Sequence, residues 1–267
     1  ARTNQDRDYH IFEEYAYYLV SEARQKRVNY IFKLGGNVYA FDSTTIDLCL
    51  SVFWWAKFRK KKGGIKVHTL YDVETQIPAF FHITEASVHD SKAMIEIPYE
   101  PGSYYIFDRG YNNFKMLYKI HQIEAYFVVR AKKNLQYKSI KWKRRLPKNV
   151  LSDASVLLTG FYPKQYYPEP LRLVKYWDEE QEREFTFITN AMHISALQVA
   201  ELYKNRWQVE MFFKWLKQHL KIKRFWGTTE NAVRIQIYTA ICAYSLVAII
   251  QHDMQLDRST YEVLQIL

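Results

Sequence analysis

The segment between Tyr203 and Lys217, YKNRWQVEMFFKWLK, combines acidic, basic and hydroxyl side chains at a regular spacing. Tyr203, Arg206, Glu210 and Lys217 lie 0, 3, 7 and 14 positions along it. On one continuous helix, these offsets fall within about 60° of one another. Glu210 is then a single carboxylate among cations, a combination suited to acid and base chemistry on a phosphate. The same face also carries Lys214 and Lys221.

Two aspartates offer the partners that such a carboxylate needs. Asp42 follows the strand-like run NVYAF, and Asp108 follows the run SYYIF. Strand ends in α/β sheets commonly hold ligands, and three carboxylates form an oxygen-rich site for a hard cation such as Mg²⁺. Two such ions about 3.5–4 Å apart can assist cleavage and joining of phosphodiesters. The alternative is structural, because an Asp after a strand is most often a turn or cap residue and an exposed Glu on a helix is common.

The basic residues of the 203–217 segment suit contact with a phosphate. An arginine such as Arg206 binds two phosphate oxygens as a fork, and a lysine such as Lys217 or Lys214 acts as a mobile point charge. Tyr203 could donate its hydroxyl to the same phosphate, or it could be a core aromatic residue. Most other positions of the segment are apolar, which is typical of a buried helix, so we expect the charged stripe to face a cleft.

Composition favours a nucleic-acid partner over a small neutral substrate. The 267 residues carry a net charge of +10, a pI near 9.3 and 17% aromatic residues, although a basic soluble protein without a polyanion partner has the same balance. Cys49 and Cys242 are too few for a disulfide framework or a zinc cluster. The N-terminus lacks the apolar region of a signal peptide. The apolar stretch 235–250 contains polar residues and predicts a buried helix rather than a membrane span.

The order of predicted elements is that of a mixed α/β fold. Apolar periodicity and turn signals place helices, strands and a change of pattern at about residue 132. Ser195 is the predicted N-cap of a helix that runs through Glu210. The predicted helices are 8–28, one starting at 89–91, 113–122, 195–220 and 231–253. The predicted strands are 37–41, 65–71 paired with 77–83, 103–107 and 125–130, with a β-rich insertion over 132–190.

Taken together, these motifs resemble the insertion sequence 4 family of bacterial transposases. The spacing Tyr-x2-Arg-x3-Glu-x6-Lys, met here as Tyr203, Arg206, Glu210 and Lys217, is similar to the family signature. FDST at 41–44 and IFDRGY at 106–111 resemble its two aspartate motifs. Further similar segments are GIKVHTLYD at 64–72, ASVHDS at 86–91 and FITN at 187–190. The resemblance covers roughly 37–226.

The resemblance implies a ribonuclease H-like fold, a mixed sheet flanked by helices, with a β-rich insertion before the last catalytic helix. It implies a catalytic triad of Asp42, Asp108 and Glu210 that holds Mg²⁺, with Mn²⁺ as an alternative. The implied partners are double-stranded DNA, both the terminal inverted repeats of the element and the target, and a second copy of the chain. The implied location is the bacterial cytoplasm, without a membrane. Related enzymes flip a base onto a tryptophan; Trp177 is the candidate here, and an ordinary strand tryptophan is the alternative.

The sequence predicts four regions. They are an N-terminal helical segment (1–36), the first part of the core (37–131), the insertion (132–190), and the catalytic and C-terminal helices (191–267). No end-recognition domain is evident in 1–36, which indicates either a fragment or another mode of binding DNA ends. Basic clusters at 57–62 and 141–145, the latter around Trp142, suit phosphate contacts or are simply solvated. Two other functions stay open: a ribonuclease H-like nuclease that cuts without joining, and an inactive DNA-binding relative.

Overall fold

The computed structural model describes residues 2–27, 31–48, 51, 53–59, 62–219, 225–258, 260 and 262–263. Four residues discussed above lie outside this set: Cys49, Lys60, Lys61 and Lys221. The chain divides into two compact units. The first unit comprises Ala1–Phe32, Asp42–His89 and Gln208–Leu267. The second unit comprises Lys33–Phe41 and Asp90–Trp207.

Seven α-helices and ten strands are present among the described residues. The helices are α1 (Arg2–Asp6), α2 (His10–Lys26), α3 (Phe114–Gln122), α4 (Phe161–Tyr166), α5 (Ala196–Lys204), α6 (Trp207–His219) and α7 (Glu230–Asp253). The strands are β1 (Val38–Leu48), β2 (Lys57–Arg59), β3 (Lys62–Asp72), β4 (Ile77–Glu85), β5 (Tyr104–Phe107), β6 (Tyr126–Arg130), β7 (Tyr137–Trp142), β8 (Val150–Leu158), β9 (Leu171–Asp178) and β10 (Arg183–Thr189). Short 3-10 helices cover Asp90–Glu96 and Arg109–Tyr111.

The first unit is built on the antiparallel pair β3 and β4, whose register runs from Ile65↔Glu85 to Asp72↔Ile77. This is the predicted hairpin. Helix α2 packs against β4 and α7 through a buried stripe of small and aliphatic residues, as expected for an amphipathic helix. Helix α7 is long and apolar enough to cross a membrane, but 67% of its most apolar window is buried. It is therefore the core helix that the sequence predicts.

The second unit contains the strand order β1–β5–β6–β10–β9–β8–β7. β1, β5 and β6 are parallel, whereas β10 is antiparallel to β6 and continues into the antiparallel strands β9, β8 and β7. The predicted insertion therefore extends the same sheet. β1 contributes residues 38–41 to this unit and 42–48 to the first. The predicted mixed sheet with flanking helices and a β-rich insertion is confirmed. The domain boundaries 1–36, 37–131, 132–190 and 191–267 stay a prediction.

Two predicted boundaries are wrong, and both affect site residues. β1 does not end before Asp42 but continues to Leu48, where Thr44, Ile46 and Leu48 are buried and Asp47 is exposed. This alternation is typical of a half-buried strand. Asp and Ser favour a turn, but the hydrogen bonds between β1 and its neighbour β3 keep the chain extended. Asp42 thus lies within a strand.

The predicted helix 195–220 is in fact two helices, α5 and α6, separated at Asn205 and Arg206. Asn205 directs both its backbone N–H and its side-chain amide to the carbonyl of Glu201, at 3.1 and 2.9 Å. A side chain that competes for a helix carbonyl weakens the continuing helix, and Arg206 N–H turns back to the Tyr203 carbonyl. Tyr203 and Arg206 therefore do not share a helical face with Glu210 and Lys217.

Candidate active site

Asp108 lies where the fully buried strand β5 ends. Its backbone is extended and it precedes the 3-10 helix Arg109–Tyr111. The side chain is half-buried, so a carboxylate is held at the edge of the core rather than in open solvent. This placement at the carboxyl end of a parallel strand is the one that the sequence predicts, and it is where α/β sheets commonly hold ligands.

The Tyr203 hydroxyl donates a hydrogen bond to Asp108 Oδ1 at 2.8 Å. Tyr203 is 8% exposed, and its ring packs on Phe187 and Phe185 with centroid distances of 4.7 and 5.7 Å. Burial, and then the Asp108 charge, raise the pKa of Tyr203 to about 12. The phenol therefore stays neutral at physiological pH and acts as a fixed donor to the carboxylate, which is a different role from the predicted phosphate contact.

The Asp108 carboxyl is held in its ionised form. Burial raises its pKa, but this effect is outweighed by hydrogen bonds from the Arg109 N–H and the Tyr203 hydroxyl and by the charges of Arg206 and Arg130, so that the net pKa is lowered. Donors and positive charges stabilise the charged form, as expected for a carboxylate in a basic surrounding. An ionised carboxylate with this support can bind a cation at neutral pH.

Two arginines of the second unit act on Asp108 through their charges, and only Arg206 was a predicted site residue. Its guanidinium lies over the Tyr203 ring at 5.6 Å, while that of Arg130 lies over Phe185 at 4.7 Å. Arg130 directly follows Val129, which pairs in register with Phe107. Because parallel strands end at the same edge of a sheet, this pairing brings Arg130 beside Asp108. The predicted strands 103–107 and 125–130 contained that signal, but their register was unknown from the sequence.

Asp42 is half-buried within β1, and its Oδ1 accepts a hydrogen bond from the Ser43 N–H at 2.8 Å. The residue before it, Phe41, is the register partner of Phe107. Asp42 and Asp108 therefore each come directly after one residue of the Phe41–Phe107 pair, which joins two parallel strands. The remaining predicted ligand, Glu210, lies in the exposed first turn of α6, where a negative charge complements the helix dipole.

The predicted phosphate-binding lysines of α6 are exposed. Lys214 and Lys217 lie on the same side of α6 as Glu210, and the buried residues between them are Phe212, Phe213, Trp215 and Leu216. The predicted charged stripe therefore exists, but only over α6. Trp177 lies near the end of β9 and is 39% exposed. Trp142 in β7 is 61% exposed, so the insertion presents a second tryptophan to solvent.

No group of three or more His, Cys, Asp or Glu side chains within the described part of the chain is arranged to hold a metal ion. Asp108 belongs to the second unit, whereas Asp42 and Glu210 belong to the first. The chemistry of the three side chains suits a hard divalent cation, which prefers carboxylate oxygens, and the lowered pKa of Asp108 provides one ligand that needs no proton removed. The carboxylate set thus fits such an ion by donor type.

Comparison with known proteins gives one family match and several relatives. Residues 33–246 match the family model described as "Transposase DDE domain". The chain is 37% identical over 231 residues to "Putative transposase y4zB" of Sinorhizobium fredii, covering 84% of this chain and 63% of that protein. It is 26% identical over 265 residues to "Putative transposase for insertion sequence element IS4SA" of Synechocystis, covering 94% and 70%.

Among solved structures, the cryo-EM structure of the piggyBac transposase synaptic complex with hairpin DNA is similar, with a TM-score of 0.47 and 12% identity. The match covers 85% of this chain and 50% of that chain. The chain therefore spans less than two thirds of the Sinorhizobium relative and half of the piggyBac chain.

Proposed function

The chain belongs to the transposase DDE domain family, which confirms the resemblance drawn from its motifs, and from this membership we propose that it is the catalytic part of an insertion-sequence transposase. It cleaves DNA at the ends of its element and transfers the freed strand into target DNA. Its substrates are the terminal inverted repeats and the target duplex, and it handles the two ends as a homodimer. We place this activity in the bacterial cytoplasm.

The proposed catalytic residues are Asp42, Asp108 and Glu210, which hold Mg²⁺, or Mn²⁺ in its place. The observation that carries this assignment is the pairing of Phe41 with Phe107 on parallel strands, because Asp42 directly follows Phe41 and Asp108 directly follows Phe107. The basic surrounding that keeps Asp108 ionised adds support. The assignment of Glu210 rests on its position in the family motif.

Divalent ions, when bound by such carboxylates, stabilise the attacking and leaving oxygens of an in-line displacement at phosphorus. In this proposal the side chains of the protein bind and orient the strand. Arg206 and Lys217 contact backbone phosphates, with Lys214 beside them, and Trp177 stacks on a base that leaves the duplex. Tyr203 orients Asp108 through its hydroxyl and so acts as a positioning residue rather than as a phosphate donor.

Cleavage of DNA that carries the ends of the element tests this proposal. The full chain is incubated with Mg²⁺ and a labelled duplex ending in the inverted repeat, together with a target plasmid. We expect Asp42→Asn, Asp108→Asn and Glu210→Gln each to lower the cleavage rate by at least 100-fold. Asp47→Asn is a matched control, because Asp47 is the exposed carboxylate of the same strand β1, and its rate should stay within twofold of that of the wild type.

Cleavage at the wild-type rate by the three variants would refute the assignment of these residues as the catalytic triad. Nicked products without joined products would favour a nuclease over a transposase. Binding of the same duplex by all proteins, with no cleavage even by the wild type, would favour an inactive DNA-binding relative.

A further inference from the structure

A basic cavity of about 330 Å³ opens within the second unit. Two of its lining residues, Arg109 and Arg130, also act on Asp108, so the cavity adjoins the carboxylate. Strands β9 and β10 form another wall, through Lys175, Glu184 and Thr186. Its volume is at the low end of that of ligand cavities in proteins. The charged residues that line it are Arg109, Arg130, Lys132, Lys133, Lys175 and Glu184.

The cavity is strongly cationic. Five of its side chains are basic and one is acidic, which leaves a formal charge of +4. Glu184 pairs with Lys175 at 3.6 Å and accepts a hydrogen bond from the Thr186 hydroxyl at 3.5 Å. One carboxylate cannot neutralise five cations, and like charges brought together repel one another. A cavity with this excess therefore favours an anionic ligand.

Part of this charge is held in place before any ligand arrives. The Arg130 guanidinium stacks over one ring, that of Phe185, at 4.7 Å, and Arg183 stacks over the same ring at 4.4 Å. Phe185 itself is 4% exposed. A guanidinium fixed on a buried aromatic ring loses little freedom when it binds, and its planar fork matches two phosphate oxygens. Lys132 and Lys133 are exposed at the rim, where lysines act as mobile charges.

We propose that this cavity binds a backbone phosphate of the DNA strand that passes Asp108. The inference rests on the proposed function and adds a contact that the family motifs do not include. Strands β9 and β10 of the insertion then serve to bind DNA as well as to extend the sheet. Glu184 lowers the affinity for DNA, because its carboxylate lines the cavity and repels the negatively charged phosphate.

The salt dependence of DNA binding tests the proposal. A fluorescent duplex is titrated with the full chain in EDTA, so that binding is measured without cleavage. Each phosphate contact contributes about 0.9 to the slope of log K against log salt. Because the cavity is proposed to hold one phosphate, we expect Lys132→Gln/Lys133→Gln to reduce the magnitude of this slope by about 0.9. Between 50 and 200 mM salt the wild type should then lose about 3.5-fold more affinity than the variant. Lys115→Gln/Lys119→Gln is the control, since both lysines are exposed on α3 of the same unit, outside the cavity.

Removal of the acidic side chain should have the opposite effect. Glu184→Gln should tighten DNA binding by threefold or more, whereas Glu182→Gln, an exposed residue just outside the cavity in the same hairpin, should change it by less than half as much. Thermal unfolding of each variant reports on folding.

Equal slopes for the two lysine variants, or equal effects of the two glutamate variants, would overturn the proposal. Since these measurements need no cleavage, they are independent of the triad. If Asp108→Asn retained full cleavage, the proposed catalytic assignment would be wrong. The salt dependence of DNA binding would still test whether the cavity binds a phosphate.

Discussion

Replacement of Tyr203 by Phe removes one hydroxyl and leaves the ring in place. The ring packs on Phe187 and Phe185, so no cavity is created, and the principal loss is the 2.8 Å hydrogen bond to Asp108. A hydrogen bond to a charged group contributes about 1.5–3 kcal/mol. Asp108 is only half-buried, and water replaces part of the bond, so we expect about 1–1.5 kcal/mol. This corresponds to about one pKa unit.

The sign of the pH dependence follows from the depressed pKa of Asp108. A carboxyl with a folded pKa below its unfolded value stabilises the fold above the unfolded pKa, near 4, and this stabilisation is lost as the pH falls through the folded pKa. In Tyr203→Phe the folded pKa moves up towards the unfolded value. The variant should therefore be less stable than the wild type at pH 7, and the difference should shrink below pH 4.

Urea unfolding at a series of pH values from 7 to 3 gives the stability difference, and carboxyl-carbon NMR of labelled aspartate gives the pKa of Asp108 directly. Tyr99→Phe is the matched control, because the Tyr99 hydroxyl donates to the Met94 carbonyl at 2.9 Å, which does not titrate. Its stability deficit should be constant with pH. A deficit in Tyr203→Phe that is equally constant, together with an unmoved Asp108 pKa, would refute the assignment of Tyr203 as the residue that supports the ionised carboxylate.

Further variants test the packing that supports the second unit. Arg172→Met should lower the free energy of unfolding by about 3 kcal/mol, measured in urea, because Arg172 binds the buried Asp153 at 2.7 and 2.8 Å and its loss leaves the exposed Lys143 as the remaining ion-pair partner of that carboxylate; Arg172→Met/Asp153→Leu should recover most of that loss. Ser195→Ala should cost about 1 kcal/mol by thermal unfolding, since Ser195 accepts from an N–H in a complete capping box, and Ser195→Asp should restore it. Gly36→Ala should cost about 2 kcal/mol, because a methyl group would lie 2.1 Å from a backbone carbonyl oxygen. Gly110→Ala, with open space around it, should stay within about 0.5 kcal/mol, and equal losses would contradict the steric argument.

Local patterns predicted much of the fold. The β3–β4 hairpin, the Ser195 cap, the end of β5 at Asp108 and the buried helix α7 each follow from residues that are near one another in the chain. Alternation, capping chemistry and apolar periodicity act over a few residues, so their outcome can be judged without knowing the partners. The family motifs rest on the same kind of short-range spacing, and the family match bears them out.

The continuation of β1 through Asp42 could not be predicted from local patterns. Asp and Ser favour turns in isolation, whereas strand formation depends on the neighbours that a strand finds in its sheet. The break between α5 and α6 is a similar case. The apolar periodicity runs across Asn205, whereas in the structure the Asn205 side-chain amide binds the Glu201 carbonyl and the Arg206 N–H turns back to the Tyr203 carbonyl.

The residue types and spacing alone determined the mixed α/β class, the family, and the aspartates and glutamate proposed for catalysis. Tertiary structure alone decided that the Tyr203 hydroxyl binds Asp108, that Arg130 lies beside it, and that the insertion strands complete a basic cavity. Each of these contacts joins residues that are far apart in the chain. Their geometry depends on strand register and on the packing of buried rings, and neither of these is encoded in the spacing of any one segment.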